Sequence, residues 1–173
     1  SSVPAALFLV KLCLDKNKRK MASNAIERTW KEAPHPELSP LWLKLAPRKA
    51  QKKPAEMVRW AERLIDIAPL SVESYLVAAQ AAIYSGLWGP ARQYLDKAEG
   101  FEQPARLYHM RAQLEEATGN AVEAKVAYEA ASKASAEKAW VCQKTGRIYE
   151  RWTPIAEPHG SFNSIIWTDP RHF

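Results

Sequence analysis

Cys142-x-x-Thr145-Gly146 and Ala156-x-x-His159-Gly160 form the most chemically suggestive spacing in this 173-residue chain. Two C-x-x-C-G knuckles on a pair of hairpins would hold one tetrahedral zinc. Here Thr145 and Ala156 stand at two of the four ligand positions. Cys142 and His159 remain, and a closed structural zinc site needs four ligands. No metal and no other cofactor is therefore expected. The other cysteine, Cys13, lies far away in sequence, and two cysteines are too few for a disulfide framework. His35 and His172 sit in Pro-flanked or terminal stretches, and His109 falls in a helical pattern beside Tyr108. The chain contains no G-x-G-x-x-G, G-x-x-x-x-G-K-[ST], H-E-x-x-H or G-x-S-x-G. It is not expected to be an enzyme.

Composition narrows the classes further. The hydrophobic content of 47% and charged content of 25% are ordinary for a globular domain. The net charge of +6 permits an acidic partner without requiring one. Its basic clusters, Lys16 to Lys20 and Arg48 to Lys53, fall between helical stretches and read as solvated turns. Seven tryptophans on a basic chain raise single-strand nucleic-acid stacking. However, three of the seven fall in C-terminal strand patterns and Trp30 falls on an apolar helix face, so nucleic acid is not expected. No run is long and apolar enough for a membrane span, and Lys11 interrupts the run from Val3 to Leu14. The chain starts at Ser1 without Met and reads as part of a longer parent.

The elements that would position these residues are announced by a period. Tyr75 and Tyr108, Ala91 and Ala124, Leu95 and Tyr128, and Ala98 and Ala131 are pairs 33 residues apart. A fixed period of this size marks one repeated supersecondary unit. Tyr75, Ala78, Ala79 and Ala82 share one helix face, Ser85-Gly86 ends that helix, and Pro90 suits the first turn of the next. The following unit repeats this plan from Pro104 through the Gly119-Asn120 turn to Ala131. Earlier units follow it less cleanly. One uses Leu41, Leu45, Met57, Ala61 and Leu64, with Pro54 opening its second helix; another uses Ala6, Val10, Ala22 and Ile26, ending at Ala33-Pro34.

This pattern resembles the tetratricopeptide repeat. That family places small residues where the two helices of a unit cross, here Ala91 with Ala98 and Ala124 with Ala131. Its first-helix aromatic corresponds to Tyr75 and Tyr108. The expected fold is all-α, a solenoid of three to four helical hairpins over residues 1–134, closed by a small antiparallel β-ribbon cap over 135–173. The resemblance implies a concave groove lined by the first helices. Its partner-binding residues would be Trp42, Lys49, Leu76, Gln80, Tyr84, His109 and Gln113, with Ala46, Ile83 and Glu116 beside them. Such a groove suits a peptide or helix of a protein partner.

Beyond Ala134 the helical period stops. Ala139 to Cys142, Arg147 to Trp152 and Ser161 to Trp167 read as strands, with a hairpin turn from Gln143 to Gly146. Trp140, Trp152 and Trp167 are expected to lie against the last repeat and cap the solenoid. The stretch from Trp140 to Trp152, followed by Pro154 to Asn163, resembles the C-terminal end of bacterial HemY-type proteins. That resemblance implies a link to tetrapyrrole biosynthesis, with tetrapyrrole-pathway enzymes as partners. It also implies a parent anchored in the inner membrane through a segment outside this chain, with this region in the cytoplasm. The expected function is a protein-interaction scaffold. The alternative is a haem- or tetrapyrrole-binding module using His109, His159 or Cys142.

Overall fold

A computed structural model describes residues 2–173. The helices are α1 (Val3–Asp15), α2 (Arg19–Glu32), α3 (Leu38–Lys44), α4 (Arg48–Gln51), α5 (Pro54–Ile67), α6 (Val72–Tyr84), α7 (Trp88–Glu99), α8 (Ala105–Ala117) and α9 (Ala121–Lys133). They form four hairpins in series: α1–α2, α3/α4–α5, α6–α7 and α8–α9. The solenoid expected from the repeat is the architecture found.

One turn chemistry recurs inside three of these hairpins. The amides of Lys18, Leu87 and Asn120 donate to the carbonyls of Cys13, Ala82 and Glu115 at 2.7, 2.9 and 2.8 Å. Each bond closes a six-residue Schellman turn around a residue with positive φ: Asn17 (53°), Gly86 (69°) and Gly119 (80°). A left-handed residue stops each first helix and sends the chain back antiparallel.

The second hairpin departs from this plan. The groove register counts Lys49 with the first helix, but that helix ends at Lys44 and a separate turn, α4, carries Lys49. Pro47 is the cause, because it lacks an amide donor and its ring clashes with the preceding helical turn. Arg19 Nη2 takes the freed carbonyls of Lys44 (2.9 Å) and Ala46 (3.2 Å), and Gln51 Nε2 also donates to Ala46 O (2.8 Å). Arg19, expected to be a solvated turn cation, instead caps a broken helix in the neighbouring unit.

The core runs the length of the array. Ala91 and Ala98 are fully buried, and Ala124 and Ala131 nearly so, where the helices of each hairpin cross. Trp30 Nε1 donates to Ser74 Oγ (2.8 Å), which donates to Leu64 O (3.1 Å), tying α2, α6 and α5 together. Trp42 and Trp60 stack with centroids 4.3 Å apart, and each indole N–H donates to the other residue's carbonyl, at 3.0 and 2.8 Å. Tyr128, the repeat equivalent of buried Leu95, is exposed with Val122 and Val126, because nothing among the described residues covers that face of α9.

The C-terminal strands are β1 (Ala139–Cys142), β2 (Ile148–Tyr149), β3 (Ile155–Ala156), β4 (Ser161–Phe162) and β5 (Ile165–Thr168). They form an antiparallel sheet in the order β2-β1-β5 and a separate β3–β4 hairpin. The single strand expected over 161–167 is split at Asn163, whose φ of 47° interrupts extended backbone. The sheet does not lie on the last hairpin as expected. It folds back along the loops between hairpins to the exit of the first. Trp140 Nε1 donates to Glu37 Oε2 at 3.0 Å, and His35 packs against both Trp140 and Trp167, with centroids at 5.3 and 4.4 Å. Val3 of α1 completes this contact, while Trp152 packs on the ribbon's own cluster. The physical reason is the indole N–H: it needs an acceptor when buried, and Glu37 supplies one.

Three changes test this packing. Trp42→Ala should cost about 3–5 kcal/mol, and Ala112→Leu, at a fully buried site, about 1–3 kcal/mol, both read from urea denaturation. His35 is held neutral mainly by burial and also by the nearby Arg106 charge, which together bring its pKa down to about 4. Its unfolded value is near 6.5. The stability that depends on neutral His35 is present above about pH 6.5 and is lost as pH falls toward 4, at up to about 1.4 kcal/mol per pH unit. Urea midpoints of a His35→Phe variant should be flatter than wild type across that window.

Candidate functional site

The first helices α3, α6 and α8 sit side by side and present the inner face of the solenoid. Of the groove residues expected there, two are not available. Trp42 is fully buried in its stack with Trp60, and Leu76 is packed into the core. Trp42 turns to α5, where Trp60 offers a ring to stack on and a carbonyl for its indole N–H. Leu76 lies between the inner stripe and the core stripe of α6, and its apolar side chain goes to the core. Ala46 is buried for the same packing reason. Lys49 is exposed but sits on the separate α4 turn.

Four residues remain on two adjoining helices. Gln80 and Tyr84 are four residues apart on α6, and His109 and Gln113 are four apart on α8. Tyr84 is 75% exposed, and His109 and Gln113 are exposed. Gln80 is half-buried, and its Nε2 is buried without an acceptor. A buried amide donor left unpaired costs about 1–3 kcal/mol. His109 tilts toward Tyr128 with centroids 6.1 Å apart. The face therefore offers an aromatic ring, an imidazole and two amides, groups that recognise backbone and apolar side chains. Glu116 and Tyr128 extend it toward α9, where a shallow depression of about 450 Å³ lies.

A second concavity lies on the loop edge, and the repeat pattern did not announce it. It encloses about 610 Å³ between the entries to α6 and α8, the 135–138 linker and the chain from Trp167 to Arg171. Arg106 makes a two-pronged ion pair with Glu73, one contact being Nη1 to Oε2 at 2.7 Å. Its backbone amide donates to Glu137 Oε1 at 2.9 Å. Asp169 pairs with Arg171 through Nε at 3.0 Å. Both arginines are thus paired with carboxylates inside the cleft, which holds an internal ion-pair seam. One signal could have found it. Glu73 and Arg106 are 33 residues apart, so the repeat register alone makes them neighbours of opposite charge.

At the ribbon, Cys142 Sγ lies 3.4 Å from His159 Nε2 and 3.4 Å from Ser164 Oγ. Hydrogen bonds from Ser164 first, then Thr145, bring the thiol pKa down to about 6. Cys142 is fully buried, so it has no face to offer a large planar ligand. Among the described residues, no group of three or more His, Cys, Asp or Glu could hold a metal ion.

No family model matches the chain. A curated relative, "Probable magnetosome protein Mms48" of Magnetospirillum gryphiswaldense, is 26% identical over 172 residues, which is 96% of this chain and 37% of that protein. The chain thus spans little more than a third of the relative's length. A solved structure named "MamA MSR-1 C2" matches with a TM-score of 0.50 and 16% identity, over 77% of this chain and 76% of that one. Another, of a MamA mutant, has 17% identity over 77% and 97% of the two chains, with a TM-score of 0.43. The first of these agrees with the helical order and loop geometry above: the chain has a tetratricopeptide-type solenoid fold with a short antiparallel ribbon at its C-terminal end.

Proposed function

We propose that the chain is a non-enzymatic protein-interaction scaffold that receives a peptide or helix of a partner across α6 and α8. One observation carries this reading: the Gln80 amide is buried without an acceptor beside exposed Tyr84, His109 and Gln113. Rotation of the Gln80 side chain toward the face would bring its amide to a partner carbonyl and remove that penalty, and Tyr84 has the amphipathic character of an interface anchor. Residues 2–134 form the binding array, and 135–173 form a ribbon that braces its loop edge. The tail's resemblance to HemY-type proteins supports tetrapyrrole-pathway enzymes as partners and a membrane-anchored parent with this region on the cytoplasmic side. The relative's name points instead to the magnetosome for that protein. The scaffold reading depends on neither setting.

Site-specific photo-crosslinkers test it. Probes at Tyr84 and Gln113 in the parent protein should give a discrete adduct in its native cells, and a probe at exposed Ile148 on the ribbon should not. Tyr84→Ala with Gln113→Ala should weaken binding of the crosslinked partner about tenfold or more, corresponding to about 1.4 kcal/mol. Equal adducts at all three positions would sink the groove reading. Titration with haem should give no saturable Soret shift. A saturable shift abolished by His109→Ala would replace the scaffold with a haem-binding module.

A further inference from the structure

We infer that the two C-terminal hairpins are a zinc-ribbon frame with Cys142, Thr145, Ala156 and His159 at its four corners, and that the Cys142 sulfur has taken the metal's place as the point joining them. The two turns repeat one another. Gly146 N donates to Cys142 O at 2.8 Å, and Gly160 N donates to Ala156 O at 3.0 Å. The two glycines have φ of 68° and 70°. Each turn follows the first strand of an antiparallel pair, β1–β2 in one case and β3–β4 in the other. These are two copies of one knuckle, and the second copy carries Ala156 where the first carries Cys142.

The knuckles also face each other at ligand spacing. Two ligands on a tetrahedral zinc, with Zn–S about 2.3 Å and Zn–N about 2.0–2.1 Å, lie about 3.5 Å apart. Cys142 Sγ and His159 Nε2, from opposite knuckles, lie 3.4 Å apart. Ala156 is buried in the same apolar cluster as Cys142, and Thr145 N donates to Cys142 O at 3.3 Å within the first knuckle. The corners therefore lie on two facing knuckles joined at Cys142 and His159. No cation is needed to hold them, because the sulfur contacts His159 from the opposite hairpin and Ser164 from the segment before β5. The ligand class for a completed frame is a divalent ion of zinc's size with thiolate and imidazole preference.

The test completes the frame in the full chain. Thr145→Cys with Ala156→Cys should take up one equivalent of Co2+ with tetrahedral visible bands and a thiolate-to-cobalt charge-transfer band, and Zn2+ should displace it. Adding His159→Ala should weaken that binding tenfold or more, while the wild-type chain should bind neither ion stoichiometrically. A folded double variant that takes no cobalt would overturn the four-cornered frame. Stoichiometric zinc in the wild type would overturn the claim that sulfur has replaced the metal. Amide exchange of the wild-type frame gives a readout that does not depend on the double variant folding. Cys142→Ala should speed exchange at Gly160, on the opposite hairpin, about tenfold. Unchanged exchange there would show that the sulfur does not join the two hairpins.

Discussion

Everything in this molecule depends on how closely two helices of one hairpin can cross. Ala91, Ala98, Ala124 and Ala131 leave no side chain beyond a methyl at the crossings, so backbones approach and larger residues fill the flanks. One hairpin built this way still exposes an apolar face, and stacking the next hairpin covers it. The crossing distance within a unit thus sets the spacing of the whole array. It also leaves the first helices side by side on one surface, which is the condition for a groove.

The same periodicity governs contacts between units. Glu73 and Arg106 are equivalent residues of successive hairpins and form an ion pair at the loop edge. Arg63 with Glu27 and Tyr94 with Glu62 join other neighbours at separations close to one repeat. A repeat array places equivalent positions next to each other, so opposite charges at one repeat position become neighbours. Pro47 shows the cost of departing from the pattern. It breaks a helix, and Arg19 from the neighbouring hairpin supplies the donors that the broken end requires.

The ribbon adds a different kind of constraint. It begins where the last hairpin ends, yet its tryptophans reach the loop after the first, so residues 103 apart in sequence share a hydrogen bond. This strap spans the stacked units along their loop edge. It links the ends of the array through aromatic packing around His35, while the Cys142 cluster holds the ribbon itself together.

Hairpin order, small-residue crossings, the Gly86 and Gly119 turns, strand β1 and the paired knuckles were all legible from residue types and spacing. Each is a local or periodic property, and backbone sterics link residue type to conformation directly. The groove was legible only in part. Periodicity places Leu76, Gln80 and Tyr84 along α6, but which side chain turns to the core depends on the volume left by neighbouring helices. Trp42 left the inner face because a Trp60 ring and its carbonyl were available across the hairpin. The docking of the ribbon on Glu37 and His35 had no sequence signature either. It follows from burying indoles where an acceptor and an aromatic face happen to meet, a match between distant segments that exists only once the array has stacked.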